Sequence, residues 1–244
     1  MRTYRCYHPD VIQPHQDLIL TPEASHHLAN VLRAKVGNPI EVFDLEGNAY
    51  SGELLIVAKR VSVRLNHVLT ACVESPLSLH LVQAIGKHDK VDWVIQKAVE
   101  LGVSEMTLLL TERTEMRIPP DQWLKKMTHW HSVLINAVEQ SGRISVPLLN
   151  PPIKFKDFFA KTIDQAAFKL MLHVGTQQRL REALPERVAR VIVMVGPEGG
   201  FSAAECQHAQ ALGYHVISLG PRVMRTETAP LAIISALQLL HGDF

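Results

Sequence analysis

The chain has 244 residues, of which 47% are hydrophobic and 20% are charged, and its formal net charge is +1 at pH 7. These proportions are those of an ordinary globular protein that is long enough for one large or two small domains. No apolar run approaches the roughly 18 residues of a membrane-spanning helix, and the first residues lack a secretory signal. The cysteines, Cys6, Cys72 and Cys206, predict no disulfide framework. We therefore expect a cytoplasmic protein, in which any contact with nucleic acid depends on local basic side chains.

Residues 1–73 have the composition of a small β-rich domain. Runs of β-branched and aromatic residues predict strands at residues 4–7, 19–20, 40–43, 50–57, 61–65 and 68–72. Residues 44–48 have the composition of a hairpin turn, and Thr21 followed by Pro22 predicts the start of a helix. These elements favour a short barrel that carries one helix.

Residues 74–244 show strands that alternate with helices, which is typical of an α/β domain with a parallel sheet. The apolar runs predict strands at residues 79–85, 106–110, 168–172, 191–195 and 216–219. They predict helices at residues 89–101, 120–139 and 231–240, and a further helix after Ser202. Residues 147–152 are rich in proline, so we expect an irregular connection there.

Two of these strands end in glycine-containing turns. The strand 191–195 is followed by Gly-Pro-Glu-Gly-Gly at residues 196–200, and the strand 216–219 ends at Gly220 and Pro221. Neighbouring parallel strands end at the same edge of a sheet, so the two turns predict a crevice in which a ligand contacts bare backbone. The sequence contains neither a dinucleotide fingerprint nor a P-loop, and we therefore expect no pyrophosphate held at a helix N-terminus.

A helix is expected to begin next to each turn. Ser202 and Glu205 have the spacing of a capping box, which predicts a helix directly after the first turn. After the second turn, Pro230 suits the first turn of the last helix, with Thr228 or Ala229 at its cap. Both turns therefore lie between a buried strand and a helix.

Three stretches of the chain resemble the signature sequences of a known family. They are Ile-Gln-Lys-Ala-Val-Glu-Leu-Gly-Val at residues 95–103, the five residues 196–200, and Leu-Gly-Pro-Arg-Val-Met-Arg-Thr-Glu-Thr-Ala at residues 219–229. They are similar to ribosomal RNA small subunit methyltransferase E, a family of the SPOUT class of methyltransferases. Met224 stands where leucine is usual in that family, which is a change of similar volume.

The resemblance implies both a fold and an activity. It implies a PUA-like β-barrel RNA-binding domain at residues 1–73 and a SPOUT α/β domain at residues 74–244. In that second domain, a deep trefoil knot is expected to form the cofactor pocket. The same domain is expected to form the interface of a homodimer. The implied reaction is transfer of a methyl group from S-adenosylmethionine to N3 of a uridine in 16S rRNA, uracil 1498, on the small ribosomal subunit.

The same resemblance implies which residues contact the cofactor. They are Leu172, His173, Gly196, Glu198, Gly199, Leu219, Gly220, Met224, Thr228 and Ala229. A pocket of glycines and apolar residues suits an adenine ring that is bound through backbone N–H and C=O groups. For Glu198 an alternative stays open, because a carboxylate just before a helix start is also favoured by the helix dipole.

Two charged residues are candidates for the chemistry. Arg225 lies between the second glycine turn and the apolar last helix, where an unpaired guanidinium is costly if it is buried. It is expected to contact the uracil or its phosphate, or else to form a structural ion pair with Glu227 or another carboxylate. Glu139, at the end of the long helix, is a candidate general base for removing the proton that uridine N3 carries.

Candidate RNA contacts follow from the resemblance, and no metal site is expected. The basic residues that match the family pattern are Arg2, Arg5, His26, Arg33 and Arg113, and for each one solvated surface charge is the alternative. The chain has 13 histidines, but His129-Trp-His131 and His26-His27 lack the spacing of a helical metal site. Trp123 and Trp130, seven residues apart on a predicted helix, are expected in the core.

Two other functions compete with RNA methylation. One is a non-catalytic RNA-binding or ribosome-assembly factor on the same fold, which loss of Gly199, Gly220 or Arg225 would favour; all three are present. The other is a nucleotide-dependent oxidoreductase, which the missing dinucleotide fingerprint disfavours.

Overall fold

The computed structural model describes residues 3–70, 73–86, 90–114, 119–160 and 165–244. The predicted RNA contact Arg2 and residues 71–72 of a predicted strand lie outside those ranges. The chain forms two compact units, one made of Met1–Glu74 with Val138–Val146 and the other of Ser75–Ala137 with Pro147–Phe244. Across the described ranges, no helix combines the length and the apolar character that crossing a membrane requires.

The first unit is built on a mostly antiparallel sheet. Within the described residues it has five strands, β1 Tyr4–Tyr7, β2 Asp17–Ile19, β3 Pro39–Phe43, β4 Ala49–Ile56 and β5 Ser62–Leu69, in the order β1-β3-β4-β5-β2. The prediction of separate strands at residues 61–65 and 68–72 was wrong, because β5 runs continuously past Asn66 and His67. Asn66 is an extra residue of β5 opposite Ser51 and Gly52 of β4, and this bulge lets the two strands stay paired on both sides of the register shift.

A short helix closes one side of this sheet. Helix α1, Pro22–His26, begins where predicted, and the Thr21 side chain accepts a hydrogen bond from the Ala24 N–H at 3.2 Å. It continues into a π-helical turn at His27–Val31, which buries Leu28. The core beneath consists of buried apolar side chains, among them Cys6, Ile12, Ile40, Val42, Leu54, Val63 and Leu65, and Leu18 of β2 packs against it.

The second unit confirms the predicted α/β class with a parallel sheet. Within the described residues its six strands are β6 Ser78–Ala84, β7 Glu105–Leu110, β8 Leu148–Lys154, β9 Phe168–Leu172, β10 Arg190–Val195 and β11 His215–Ile217, in the order β11-β9-β10-β6-β7-β8. The expectation of an irregular connection at residues 147–152 was wrong, since these residues enter β8. Pro151 and Pro152 are tolerated there because β8 is at the edge of the sheet, where a missing N–H breaks no inner ladder.

Helices pack against this sheet. They are α2 Val91–Glu100, α3 Pro120–Ser141, α4 Phe155–Ala160, α5 Leu180–Ala183, α6 Ala203–Ala211 and α7 Thr228–His241. Helix α2 ends before Gly102, whose φ of 85° is a left-handed conformation that glycine adopts readily. The sequence patterns did not predict the two short helices α4 and α5.

The start of α7 differs from the prediction. The helix was expected at residues 231–240 with Thr228 or Ala229 at the cap, but it begins at Thr228 and Glu227 occupies the cap position. The reason is that the N–H groups of Thr228 and Ala229 already donate to the Arg225 carbonyl, at 2.9 and 3.1 Å. The first turn of the helix therefore closes directly behind Arg225.

Candidate active site

A cavity of about 310 Å³ opens at the carboxyl ends of β9, β10 and β11. Its walls come from residues 172–174 after β9, residues 195–200 after β10, and residues within 217–229 after β11. The volume falls within the range of small-molecule sites. The two glycine-containing turns therefore meet in one pocket, but the expectation that they follow neighbouring strands was wrong, because β9 lies between β10 and β11.

Most residues that were predicted to bind the cofactor line this cavity. They are Leu172, His173, Gly196, Glu198, Gly199, Leu219, Gly220, Met224 and Ala229. Thr228 instead begins α7 and is exposed. The wall also contains Val174, Arg222 and Thr226, which sequence reasoning passed over. Thr226 could have been predicted from the sequence, because it lies between Arg225 and Glu227 in the stretch 219–229 that was already expected to form the pocket.

Thr226 joins the two turns. It is 8% exposed, and its hydroxyl donates a hydrogen bond of 2.7 Å to the carbonyl oxygen of Gly196, at the end of β10. The same hydroxyl oxygen accepts a 3.4 Å hydrogen bond from the side-chain amide of Gln83, which is 2% exposed at the end of β6. The wall of the pocket is thus fixed by buried side chains behind it.

The glycines of the pocket are required by space and by conformation. A Cβ added to Gly196 would lie 3.2 Å from the ring of Phe201, which is tighter than an ordinary contact. Gly200 and Gly220 have φ angles of 68° and 131°, which residues with a Cβ adopt rarely. These positions let the backbone itself form the surface that a ligand meets.

The Glu198 carboxylate occupies space that another glycine leaves open. A Cβ on Gly86, just after β6, would lie 2.6 Å from Glu198 Oε1. The start of α6 is capped by other residues, since the Ser202 hydroxyl accepts from the Glu205 N–H at 3.2 Å and the Glu205 carboxylate accepts from the Ser202 N–H at 2.8 Å. Glu198 is therefore not the cap of α6, and it is one of the residues that line the cavity.

Arg225 differs from expectation in its surroundings. Its side chain is exposed rather than buried, and it lies between two residues of the wall, Met224 and Thr226. The alternative of an ion pair with Glu227 does not occur among the described residues, and the Glu227 carboxylate lies 3.7 Å from the ammonium group of Lys90. In the part of the chain that the structure describes, no ion pair occupies the Arg225 guanidinium.

Glu139 lies in the first unit and is not among the residues that line the cavity. Its carboxylate accepts a hydrogen bond of 2.9 Å from the backbone N–H of Tyr7 in β1. Burial raises the pKa of the Glu139 carboxyl, and this effect exceeds the opposing effects of the Tyr7 hydrogen bond and of the Arg5 charge. The structure thus gives Glu139 a structural contact within its own unit.

Comparison with known proteins assigns the family. Residues 73–238 match the RNA methyltransferase domain family, and residues 20–65 match the RNA methyltransferase PUA domain family. Ribosomal RNA small subunit methyltransferase E of Buchnera aphidicola (from Schizaphis graminum) is 32% identical, over 99% of this chain and 98% of that protein. The Bacillus subtilis protein of the same name is 30% identical, over 92% of each chain. This chain belongs to the ribosomal RNA small subunit methyltransferase E family.

Solved structures of similar proteins agree with this assignment. A Legionella pneumophila protein that was solved in complex with the cofactor S-adenosylmethionine has a TM-score of 0.94 and 39% identity over the whole of both chains. Ribosomal RNA small subunit methyltransferase E from Neisseria gonorrhoeae, also bound to S-adenosylmethionine, has a TM-score of 0.92 and 34% identity over the whole of both chains. The family resemblance of the three sequence stretches is therefore confirmed.

The basic residues that match the family pattern have different surroundings. Arg5 forms an ion pair with Glu41 and donates to the carbonyl oxygens of Gly142 and Arg143, at 3.0 and 2.9 Å. Its guanidinium therefore holds the carboxyl end of α3 within the first unit. His26 and Arg33 are exposed on the same unit, where phosphate contact stays a prediction. Arg113 is exposed on the second unit and contacts Gly199 in the loop that follows β10.

Of the histidines and tryptophans named from the sequence, His129, His131, Trp123 and Trp130 lie on α3. Among the described residues, no group of three or more His, Cys, Asp or Glu side chains is arranged to hold a metal ion. His129 pairs with Asp92 of α2, with Nε2 and Oδ2 2.5 Å apart. Trp130 is fully buried, as predicted, and its ring centroid lies 6.3 Å from that of the half-buried Trp123.

Proposed function

We propose that this chain transfers a methyl group from S-adenosylmethionine to N3 of a uridine in 16S rRNA, uracil 1498, with the small ribosomal subunit as substrate. The observation that carries the proposal is the pocket of the second unit, which combines glycine backbone, apolar side chains and one carboxylate in a chain of this family. Relatives with bound S-adenosylmethionine support the choice of cofactor.

The residues of the pocket fit this cofactor. Leu172, Leu219 and Met224 provide apolar surface for a flat adenine ring, and the glycine turns provide backbone groups for its polar edge. The Glu198 carboxylate suits a ligand that carries positive charge. S-adenosylmethionine supplies an electrophilic methyl group on a sulfonium ion.

Arg225 is the proposed catalytic residue. N3 of neutral uridine carries a proton, so methylation requires loss of that proton and stabilisation of the negative charge that develops on the ring. The exposed guanidinium beside the pocket wall is available for that charge, and holding the base in line adds to the rate. The role of Glu139 as general base rests on the family resemblance alone. Its carboxylate already accepts a hydrogen bond from the Tyr7 N–H, so the role needs a direct test.

The finer features of the fold belong to the same proposal. We propose that the first unit closes as a PUA-like barrel that contacts rRNA through His26 and Arg33, and that the second unit is a deep trefoil knot. The knot rests on the family resemblance. Gln238 ties α7 to the same unit, since its side chain donates to the Leu101 carbonyl at 2.8 Å and accepts from the Ser75 hydroxyl at 2.7 Å.

A homodimer and a cytoplasmic location complete the proposal. Helix α7 leaves Leu239 and Leu240 exposed, at 68% and 48%, although the helix is apolar nearly all round. Such surface favours cover by a second subunit. An enzyme that modifies ribosomal subunits works where those subunits assemble, which in a bacterium is the cytoplasm.

The test is transfer of labelled methyl from S-adenosylmethionine to small ribosomal subunits from cells that lack this activity, followed by nucleoside analysis. We expect label in N3-methyluridine, and little label with subunits from cells that have the activity, because their site is already modified. Binding of S-adenosylmethionine without label would indicate a different RNA or base. Neither binding nor label would leave the non-catalytic RNA-binding function.

A further inference from the structure

The loop after β7, residues 111–114, contacts the loop after β10, residues 196–200, which we call the cofactor loop. Arg113 Nη1 donates a hydrogen bond of 2.6 Å to the carbonyl oxygen of Gly199. The methylene groups of Arg113 cover Gly199, since a Cβ added there would lie 3.4 Å from Arg113 Cδ. The loop is held in a tight turn by Thr111 and Thr114, whose hydroxyl accepts the Thr111 N–H at 2.9 Å.

The arginine fixes the orientation of one peptide group in the pocket wall. In a planar trans peptide, the C=O and the following N–H point in opposite directions. The Gly199 carbonyl points to Arg113, while the Gly200 N–H donates to the Pro197 carbonyl at 2.8 Å. Both ends of the peptide between Gly199 and Gly200 are therefore bonded, although glycine alone would leave this peptide free to rotate.

A buried carboxylate holds the arginine loop in place. Glu205 is 7% exposed in the first turn of α6. Its Oε1 accepts the backbone N–H of Glu112 at 3.0 Å, and its Oε2 accepts the backbone N–H of Ser202 at 2.8 Å. The Glu205 side chain thus connects the loop that carries Arg113 to Ser202, at the start of α6.

We propose that Arg113 and Glu205 are positioning residues for the cofactor, which act by holding the peptide between Gly199 and Gly200 against the pocket. This inference rests on the proposed function and adds a role to it. It also replaces the expectation that Arg113 contacts an RNA phosphate, because the guanidinium is directed at the pocket loop. Loss of Arg113 then weakens cofactor binding and leaves RNA binding unchanged.

The test compares Arg113→Ala with Arg187→Ala, a matched control at an exposed arginine of the same unit. Calorimetry gives the Kd for S-adenosylmethionine, and steady-state kinetics at saturating cofactor give the KM for small ribosomal subunits. For Arg113→Ala we expect a Kd about 10- to 150-fold higher, the range for a hydrogen bond to a charged donor. The KM for subunits and its salt dependence should match those of the control.

Glu205→Gln provides the second measurement. A glutamine has one acceptor oxygen, so one of the two N–H groups loses its partner, and the cofactor Kd should rise. The control Ser202→Ala removes the cap hydroxyl of α6 and keeps both carboxylate contacts, so it separates helix capping from loop positioning. In the double variant Arg113→Ala with Glu205→Gln, we expect a smaller rise in Kd than the product of the two single effects, because both act on one loop.

The outcomes separate this inference from the function on which it rests. Wild-type protein that binds cofactor, with variants that bind it within twofold of wild type, would overturn the positioning role alone. An unchanged Kd with a raised KM for subunits and a weaker salt dependence would restore the phosphate contact. Absence of cofactor binding in the wild type would overturn the proposed function and the positioning role together.

Discussion

The hydroxyl of Thr226 donates to the Gly196 carbonyl oxygen at 2.7 Å, so a side chain that follows β11 fixes the end of β10. The two residues are 30 positions apart in sequence and adjacent in the pocket wall. The contact is buried, and removal of the donor would leave the carbonyl without that partner.

We predict that Thr226→Val destabilises the protein and weakens cofactor binding, whereas Thr226→Ser does neither. Valine keeps the shape of threonine but leaves a buried acceptor unsatisfied, which costs about 1–3 kcal/mol. Urea unfolding without cofactor gives the change in stability, and calorimetry gives the change in Kd. Equal unfolding midpoints for the valine and serine variants would show that the hydrogen bond contributes nothing.

Arg225→Ala should separate catalysis from cofactor binding. The side chain is exposed, so we expect an unchanged fold and a Kd for S-adenosylmethionine within about twofold of wild type. Methylation should fall by about 10²-fold or more, the usual effect of removing a group that stabilises developing charge. Arg225→Lys keeps the charge and should keep part of the activity. Full activity in Arg225→Ala would remove this residue from the catalytic step.

The pocket was predictable from the sequence because its signals are local. A buried strand followed by glycines fixes both the place and the shape of each turn, and Ser202 with Glu205 forms the predicted capping box within four residues. The contacts that complete the pocket are long-range. Gln83 and Thr226 are 143 residues apart, and no sequence pattern indicates that they meet.

The charged residues show the same limit. Arg5 looks like an RNA contact in sequence, but its partner Glu41 lies on β3, which pairs with β1 only in the folded sheet. Arg113 looks like surface charge until its distance to the Gly199 carbonyl is known. The edge strand β8 was missed for a different reason. Its two prolines argue against a central strand but are tolerated in an edge strand, and the sequence pattern does not show which kind of strand a segment forms.

Gly52→Ala should destabilise the first unit. Gly52 lies on β4 opposite the bulge at Asn66 of β5, and a Cβ added to it would overlap the backbone carbonyl of Arg64. Backbone in a paired strand cannot move aside as a flexible side chain can, so we expect a loss of about 1–3 kcal/mol. Urea unfolding should show this loss, while the neighbouring Ser51→Ala should unfold near wild type. A Gly52→Ala variant as stable as Ser51→Ala would mean that the bulge relaxes without cost.

Glu139→Gln should stabilise the protein at neutral pH and retain methylation. Burial raises the pKa of Glu139 above its ordinary value of 4.5. Between pH 4.5 and the raised pKa, the folded protein therefore binds more protons than the unfolded chain. Stability of the wild type is therefore lost as pH rises from about 4.5 to the raised pKa. Glutamine is neutral and still accepts the Tyr7 N–H, so its advantage in urea unfolding should grow from pH 4 to pH 7. Loss of methylation in a stable Glu139→Gln variant would instead support Glu139 as the general base.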